Sequence, residues 1–179
     1  MNLHLRGGDP LKYRGDVLIL GHFSDIKPLT GTVAYLDWMF NASVSNLWKA
    51  RPDLLDFGCQ TLLPTLGKLP FPYLVLMGLG KREAFSGDLR QEIYRMGLQA
   101  ALGMEARNVG CEGIPVSENM DMSVIDDFSL TSGKLGDKVF DNAALFIPSP
   151  ELLTEAKTVY TGSEEGIDEV ESLSTESTL

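Results

Sequence analysis

The chain has 179 residues, 44% of them hydrophobic and 22% charged, and a formal net charge of −10. That is enough for one domain with a real core, and no apolar run reaches the roughly 18–20 residues needed to cross a bilayer. The charge excludes nucleic acid as a partner, because Lys and Arg do not cluster as phosphate neutralisation requires.

Six acids and no Lys or Arg fall in residues 161–179, so the preceding 160 residues carry a net charge of only −4. The N-terminus has no apolar core of a secretory signal. Cys59 and Cys111 make no disulfide framework; two buried thiols in a reducing cytosol are the expectation, and with them a cytoplasmic location.

In chain order, Asp16-Val-Leu-Ile-Leu-Gly-His-Phe23 is a continuous apolar run and predicts a strand buried on both faces. Residues 32–50 follow with Val33, Leu36, Phe40, Val44, Leu47 and Trp48 at helical spacing, which predicts one amphipathic helix closed by Arg51-Pro52. Residues 60–63 and 73–77 predict two strands. The linker between them is too short for a crossover, so they form a hairpin. After the turn Gly78-Leu-Gly-Lys81, a helix runs over 88–104, with Asp88 and Gln91 as a capping box and Leu89, Ile93, Met96, Ala100 and Ala101 as its buried stripe.

Residues 109–114 and 143–147 predict two further strands. Between them, residues 117–127 suit a helix with Met120, Val124 and Phe128 facing inward. Pro150 opens a short helix over 151–159. Residues 161–179, acidic and Ser/Thr-rich, are expected to stay disordered. Helices alternating with strands imply a mixed sheet with helices on its faces.

Little in the chain resembles a catalytic set. His4 and His22 lack a second ligand at metal spacing, and no His-Glu-x-x-His or Gly-x-Ser-x-Gly motif occurs. Asp121, Asp126 and Asp127 lack the glycine and terminal glutamate of a calcium loop and are expected in a solvated acidic segment. Asn41-Ala-Ser43 falls inside a predicted helix. Trp48 belongs to the core face of that helix, and Trp38 is left for an interface. One loop stands out as a candidate ligand site: Gly78, Gly80, Lys81 and Arg82 follow a strand and precede a helix. Free N–H groups on the glycines and the two cations suit a phosphate; the competing reading is a tight turn. No cofactor is implied.

Three stretches in this order resemble the N-terminal domain of the leucyl aminopeptidase family: Gly15-Asp-Val-Leu-Ile-Leu-Gly21 with Pro28-Leu-Thr-Gly31 and Leu36-Asp37, Gly58-Cys-Gln-Thr-Leu-Leu-Pro64, and Leu74-Val-Leu-Met-Gly-Leu-Gly-Lys81. The resemblance runs from about residue 14 to 112. It implies a three-layer, macro-domain-like α/β fold for residues 1–160. The family's metal ligands and catalytic lysine lie in a second domain, whose Asn-Thr-Asp-Ala-Glu-Gly-Arg-type motif has no counterpart here. The resemblance therefore implies a non-catalytic relative acting in assembly or regulation, with a protein partner or as a homo-oligomer. The alternative is a macro-type binder of a nucleotide or ADP-ribose-like small molecule at Gly78 to Arg82.

Overall fold

A computed structural model describes residues 2–116, 120–135 and 140–160. The described residues form a six-stranded sheet: β1 (Asn2–Arg6), β2 (Val17–His22), β3 (Gln60–Pro64), β4 (Tyr73–Gly78), β5 (Asn108–Glu112) and β6 (Asn142–Phe146). The order is β1-β6-β5-β2-β4-β3. Neighbours are parallel except β3 and β4, which form the expected antiparallel hairpin, with Leu62 opposite Val75.

Strand alternation sends each central strand's side chains into two cores. Val17, Ile19, Val75, Met77, Val109 and Leu145 face one layer, built on α3 (Gly87–Gly103) and α4 (Ser123–Lys134), with α5 (Pro150–Tyr160) adding Leu152, Leu153 and Ala156. Leu18, Leu20, Leu74, Leu76 and Phe146 face the other, which holds α1 (Gly31–Met39), α2 (Ser43–Ala50) and the N-terminal segment around Tyr13. This is the expected three-layer α/β sandwich.

Several boundaries differ from expectation. β1 has no forecast in the sequence because it is short and carries His4 and Arg6; only Leu3 and Leu5 are buried. The helix expected over 32–50 is two helices. Asn41 and Ala42 turn left-handed (φ 54° and 61°), and the Ala42 N–H reaches back to the Asp37 carbonyl at 2.8 Å. The Asp37 carboxylate then accepts the Ser45 N–H at 2.9 Å and caps the start of α2. Phe40 and Leu47, placed on the core face by spacing, are only half-buried.

In α3, Ser86 rather than Asp88 is the N-cap, its hydroxyl accepting the Leu89 N–H at 3.4 Å. Gln91 points to Asp127 instead of closing a capping box. The buried stripe is Arg90, Ile93, Tyr94, Gly97, Leu98 and Ala101. It is rotated from the expected one because Arg90 is drawn inward by a buried partner. That partner is Asp127, which corrects the solvated acidic segment: its carboxylate takes the Arg90 Nε at 2.7 Å and the Gln91 amide at 2.7 Å. Asp121 instead accepts the Ser123 N–H at 3.0 Å. Among the described residues, no three His, Cys, Asp or Glu side chains gather as metal ligands. Cys111 is buried as expected, while Cys59 is only partly so. The acidic stretch 161–179 and part of 115–142 lie outside the described residues.

Candidate functional site

Loops leave the C-terminal ends of β2 and β5 in opposite directions along the sheet, β2 toward β3 and β5 toward β6. Such a reversal opens a crevice where α/β sheets hold ligands. Residues 23–30, which include a cis Lys27–Pro28 bond, run over it and separate two clefts.

The smaller cleft, about 240 Å³, lies at the β2–β5 reversal itself. Its walls include Thr32 in the first turn of α1, Arg82 and Glu112. Glu112 ends β5 and is largely enclosed, and burial pushes its carboxyl above the usual range. The Thr32 hydroxyl donates to it, an opposing influence, and Asp9 adds to the upward push. Arg82 lies over the Phe23 ring, 5.5 Å from its centroid, and its backbone N–H is held by the Asp25 carboxylate at 3.1 Å.

On the far side of the loop is the larger cleft, about 890 Å³. It is walled by α1, α2 and the segment 52–56, with Ala34, Asp37, Ser45 and Lys49 facing it beside Lys27. Its floor is a ring pair: the His22 imidazole stacks on the Trp48 indole, centroids 5.3 Å apart and planes 12° from parallel. Burial lowers the His22 pKa and keeps the ring neutral. With His22 Nε2–H donating to the Ile26 carbonyl at 3.2 Å, Nδ1 carries the lone pair. Among the described residues, the buried Trp48 indole N–H has no hydrogen-bond partner. At this size, with apolar walls and a few polar groups, the larger cleft has the character of a small-molecule site.

The four residues singled out in the sequence divide. Gly78 and Gly80 sit beneath the 52–58 segment. Their N–H groups reach the Cys59 carbonyl at 2.8 Å and the Leu55 carbonyl at 3.0 Å, and the Leu79 N–H reaches His22 at 3.0 Å. A Cβ on Gly78 would lie 2.3 Å from the Asp56 carbonyl oxygen, and Gly80 has φ +69°. The turn thus needs its glycines for close backbone packing. Lys81 is exposed and precedes a 3-10 turn, and of the four Arg82 alone lines either of these two clefts. Glu112, Thr32 and the His22–Trp48 pair are the residues that sequence reasoning missed. Glu112 left one signal, an acid on an otherwise apolar predicted strand.

The sheet order, the two helical layers and the crevice define a macro-like α/β domain. The macrodomain of Trypanosoma brucei solved with ADP-ribose superposes with a TM-score of 0.67 over 89% of this chain and 69% of its own, at 14% identity. A mutant of tomato leucine aminopeptidase gives 0.60 over 90% of this chain and 36% of its own, at 17% identity. In sequence, a probable cytosol aminopeptidase of Sulfurihydrogenibium sp. (strain YO3AOP1) is 29% identical over 128 residues, which is 70% of this chain and 25% of that protein. No family model matches. The chain spans about a quarter of the length of the curated relatives it matches. It is a macro-like domain related to the N-terminal region of the leucyl aminopeptidases.

Proposed function

We propose that this domain is a non-catalytic binding module that takes a nucleotide or ADP-ribose-like ligand in the clefts flanking residues 23–30. The observation that carries the reading is the larger cleft itself, about 890 Å³ and floored by the His22–Trp48 stack at the carboxyl end of the sheet. Its volume lies within the roughly 300–1,000 Å³ of ligand pockets. The ADP and ADP-ribose complexes of the structurally similar T. brucei macrodomain support the ligand class.

Each cleft carries both signs of charge, Lys27 and Lys49 with Asp37 and Asp56 in the larger and Arg82 with Glu112 in the smaller. Lys27 and Lys49 border the larger one and suit phosphate. Glu112 at the first turn of α1 disfavours an anion in the smaller one and suits a hydroxyl donor. Calorimetric titration with ADP-ribose, ADP and AMP tests this. Saturable binding weakened by Ala34→Phe, which projects a ring into the larger cleft, is the expected result. Binding weakened only by Arg82→Ala would move the ligand to the smaller cleft, and flat titrations with all three compounds would refute the reading. In the same preparation, leucyl-p-nitroanilide should not turn over with manganese or zinc.

A second reading is assembly with a protein partner or with further copies of the chain. It is favoured by the open edge of β3 and by Tyr35 and Trp38, two exposed rings stacked 5.7 Å apart on α1.

A further inference from the structure

We propose that β3 pairs with β3 of a second copy of this chain, antiparallel about a two-fold axis at Leu62, so that the two sheets join through a weak, reversible homodimer. The inference rests on the assembly reading and specifies its surface.

Among the described residues β3 is an edge, bonded to β4 on one side only. The Gly78 N–H reaches the Cys59 carbonyl and the Thr65 N–H reaches the Pro72 carbonyl, so residues 59 and 65 direct these groups toward β4. Backbone direction alternates along an antiparallel strand. Thr61 and Leu63 therefore face β4 as well, and Gln60, Leu62 and Pro64 turn their backbone groups outward.

A two-fold axis at Leu62 sets each outward group against a complement. The two Leu62 residues exchange N–H and carbonyl bonds, and each Gln60 N–H meets the Pro64 carbonyl of the other copy. Pro64 has no N–H to give. The ladder thus stops at four bonds, and the two-fold contact is closed because it uses the β3 edge of both copies.

Charge selects this strand for self-pairing. At a formal −10 per chain, two copies repel, and a two-fold contact sets like against like. The other edge, β1, carries His4 and Arg6; Gln60-Thr-Leu-Leu-Pro64 carries no charge. Natural edges are commonly guarded by lysine, bulges or covering elements. Here Leu62 is 51% exposed, and Tyr73 of the neighbouring β4, on the same face of the hairpin, is 41% exposed. A five-residue ladder with these side chains falls short of the roughly 1,200 Å² of a stable interface, so the pair is concentration-dependent.

Sedimentation velocity on the full chain from micromolar to near-millimolar concentration tests the proposal. The expected result is a monomer–dimer equilibrium that Leu62→Lys shifts at least tenfold toward monomer, by placing two ammonium groups at the axis. Leu62→Pro should do the same, since the N–H it removes is one β4 does not use. Thermal melts of both variants report whether the monomer still folds. A dimer undiminished in folded Leu62→Lys would overturn the β3 pairing and leave assembly through another surface. A monomer at every concentration would overturn both the pairing and self-assembly. Should both variants fail to fold, crosslinking of Leu62→Cys under mild oxidation decides: a disulfide-linked dimer is expected, and its absence overturns the pairing.

Discussion

The two helical layers cover opposite faces of one sheet, and only one of them is closed. Under α3 and α4, a buried guanidinium, Arg90, is answered on every side: Asp127, the Ser123 hydroxyl at 2.7 Å and the Ile114 carbonyl at 3.3 Å. Tyr94 packs edge-on to Phe128 and accepts the Ile114 N–H at 3.1 Å. Under α1 and α2 the helix is broken, the cover is shared with an irregular N-terminal segment, and the larger cleft remains. The lesson is physical. A layer whose buried polar groups are all paired internally serves as scaffold. The layer with a neutral imidazole and, among the described residues, an unpaired indole N–H at a cleft is the one proposed to accept a ligand.

The sharpest way to break the contrast is to unpair the closed layer. Arg90→Ala leaves the Asp127 carboxylate without its ion partner in a largely buried setting. A loss of about 3–5 kcal/mol is expected, measured by urea unfolding. A loss below 1 kcal/mol would mean that water reaches the pair.

Next in size is the turn between the layers. Gly78→Ala drives a Cβ into the Asp56 and Leu54 carbonyls, at 2.3 and 2.7 Å. Backbone has to move, at a cost of about 2–3 kcal/mol. Gly80→Ala has more room, meeting the Phe57 Cβ at 3.3 Å, but must hold φ +69°, which costs about 1–2 kcal/mol. The same unfolding experiment ranks them, and the reverse order would mean that conformation rather than crowding governs the turn.

Titration sharpens the comparison further. The raised Glu112 carboxyl binds its proton more tightly in the folded state, so its contribution is full below the ordinary value of 4.5 and fades as pH rises through the folded value. Glu112→Gln should flatten that limb of a plot of stability against pH. His22 acts with the opposite sign. Its folded pKa is lowered, so stability falls as pH drops below 6.5 toward the folded value. His22→Phe keeps a ring against Trp48 and should remove that fall. Melting temperatures between pH 4 and 8 (about the span bounded by the two ordinary values) check both, and unchanged profiles would mean that neither group is dehydrated.

The smallest effect belongs to the outer face of α1. Trp38 is 72% exposed, and Trp38→Ser should alter unfolding stability by no more than about 0.5 kcal/mol. A larger loss would show that the Tyr35–Trp38 stack supports the helix.

The sequence by itself determined the sheet-forming runs, the β3–β4 hairpin and the three-layer class. Unbroken apolar runs such as Val17–Leu20 suit only strands covered on both faces, and a short linker permits only an antiparallel pair. It also offered a tight turn as the reason for Gly78 and Gly80, though not the 52–58 segment they pack beneath. What the tertiary structure decided are properties of meeting elements. The break at Asn41–Ala42 depends on Asp37 capping the next helix, and the inward turn of Arg90 depends on an acid 37 residues away. Glu112 becomes a cleft residue only because α1 returns its first turn to the end of β5, and the His22–Trp48 floor joins a strand end to the second turn of α2. Periodicity reports which face of an element is apolar; it carries no record of which polar group will be buried opposite another, since that pairing exists only once the layers have packed.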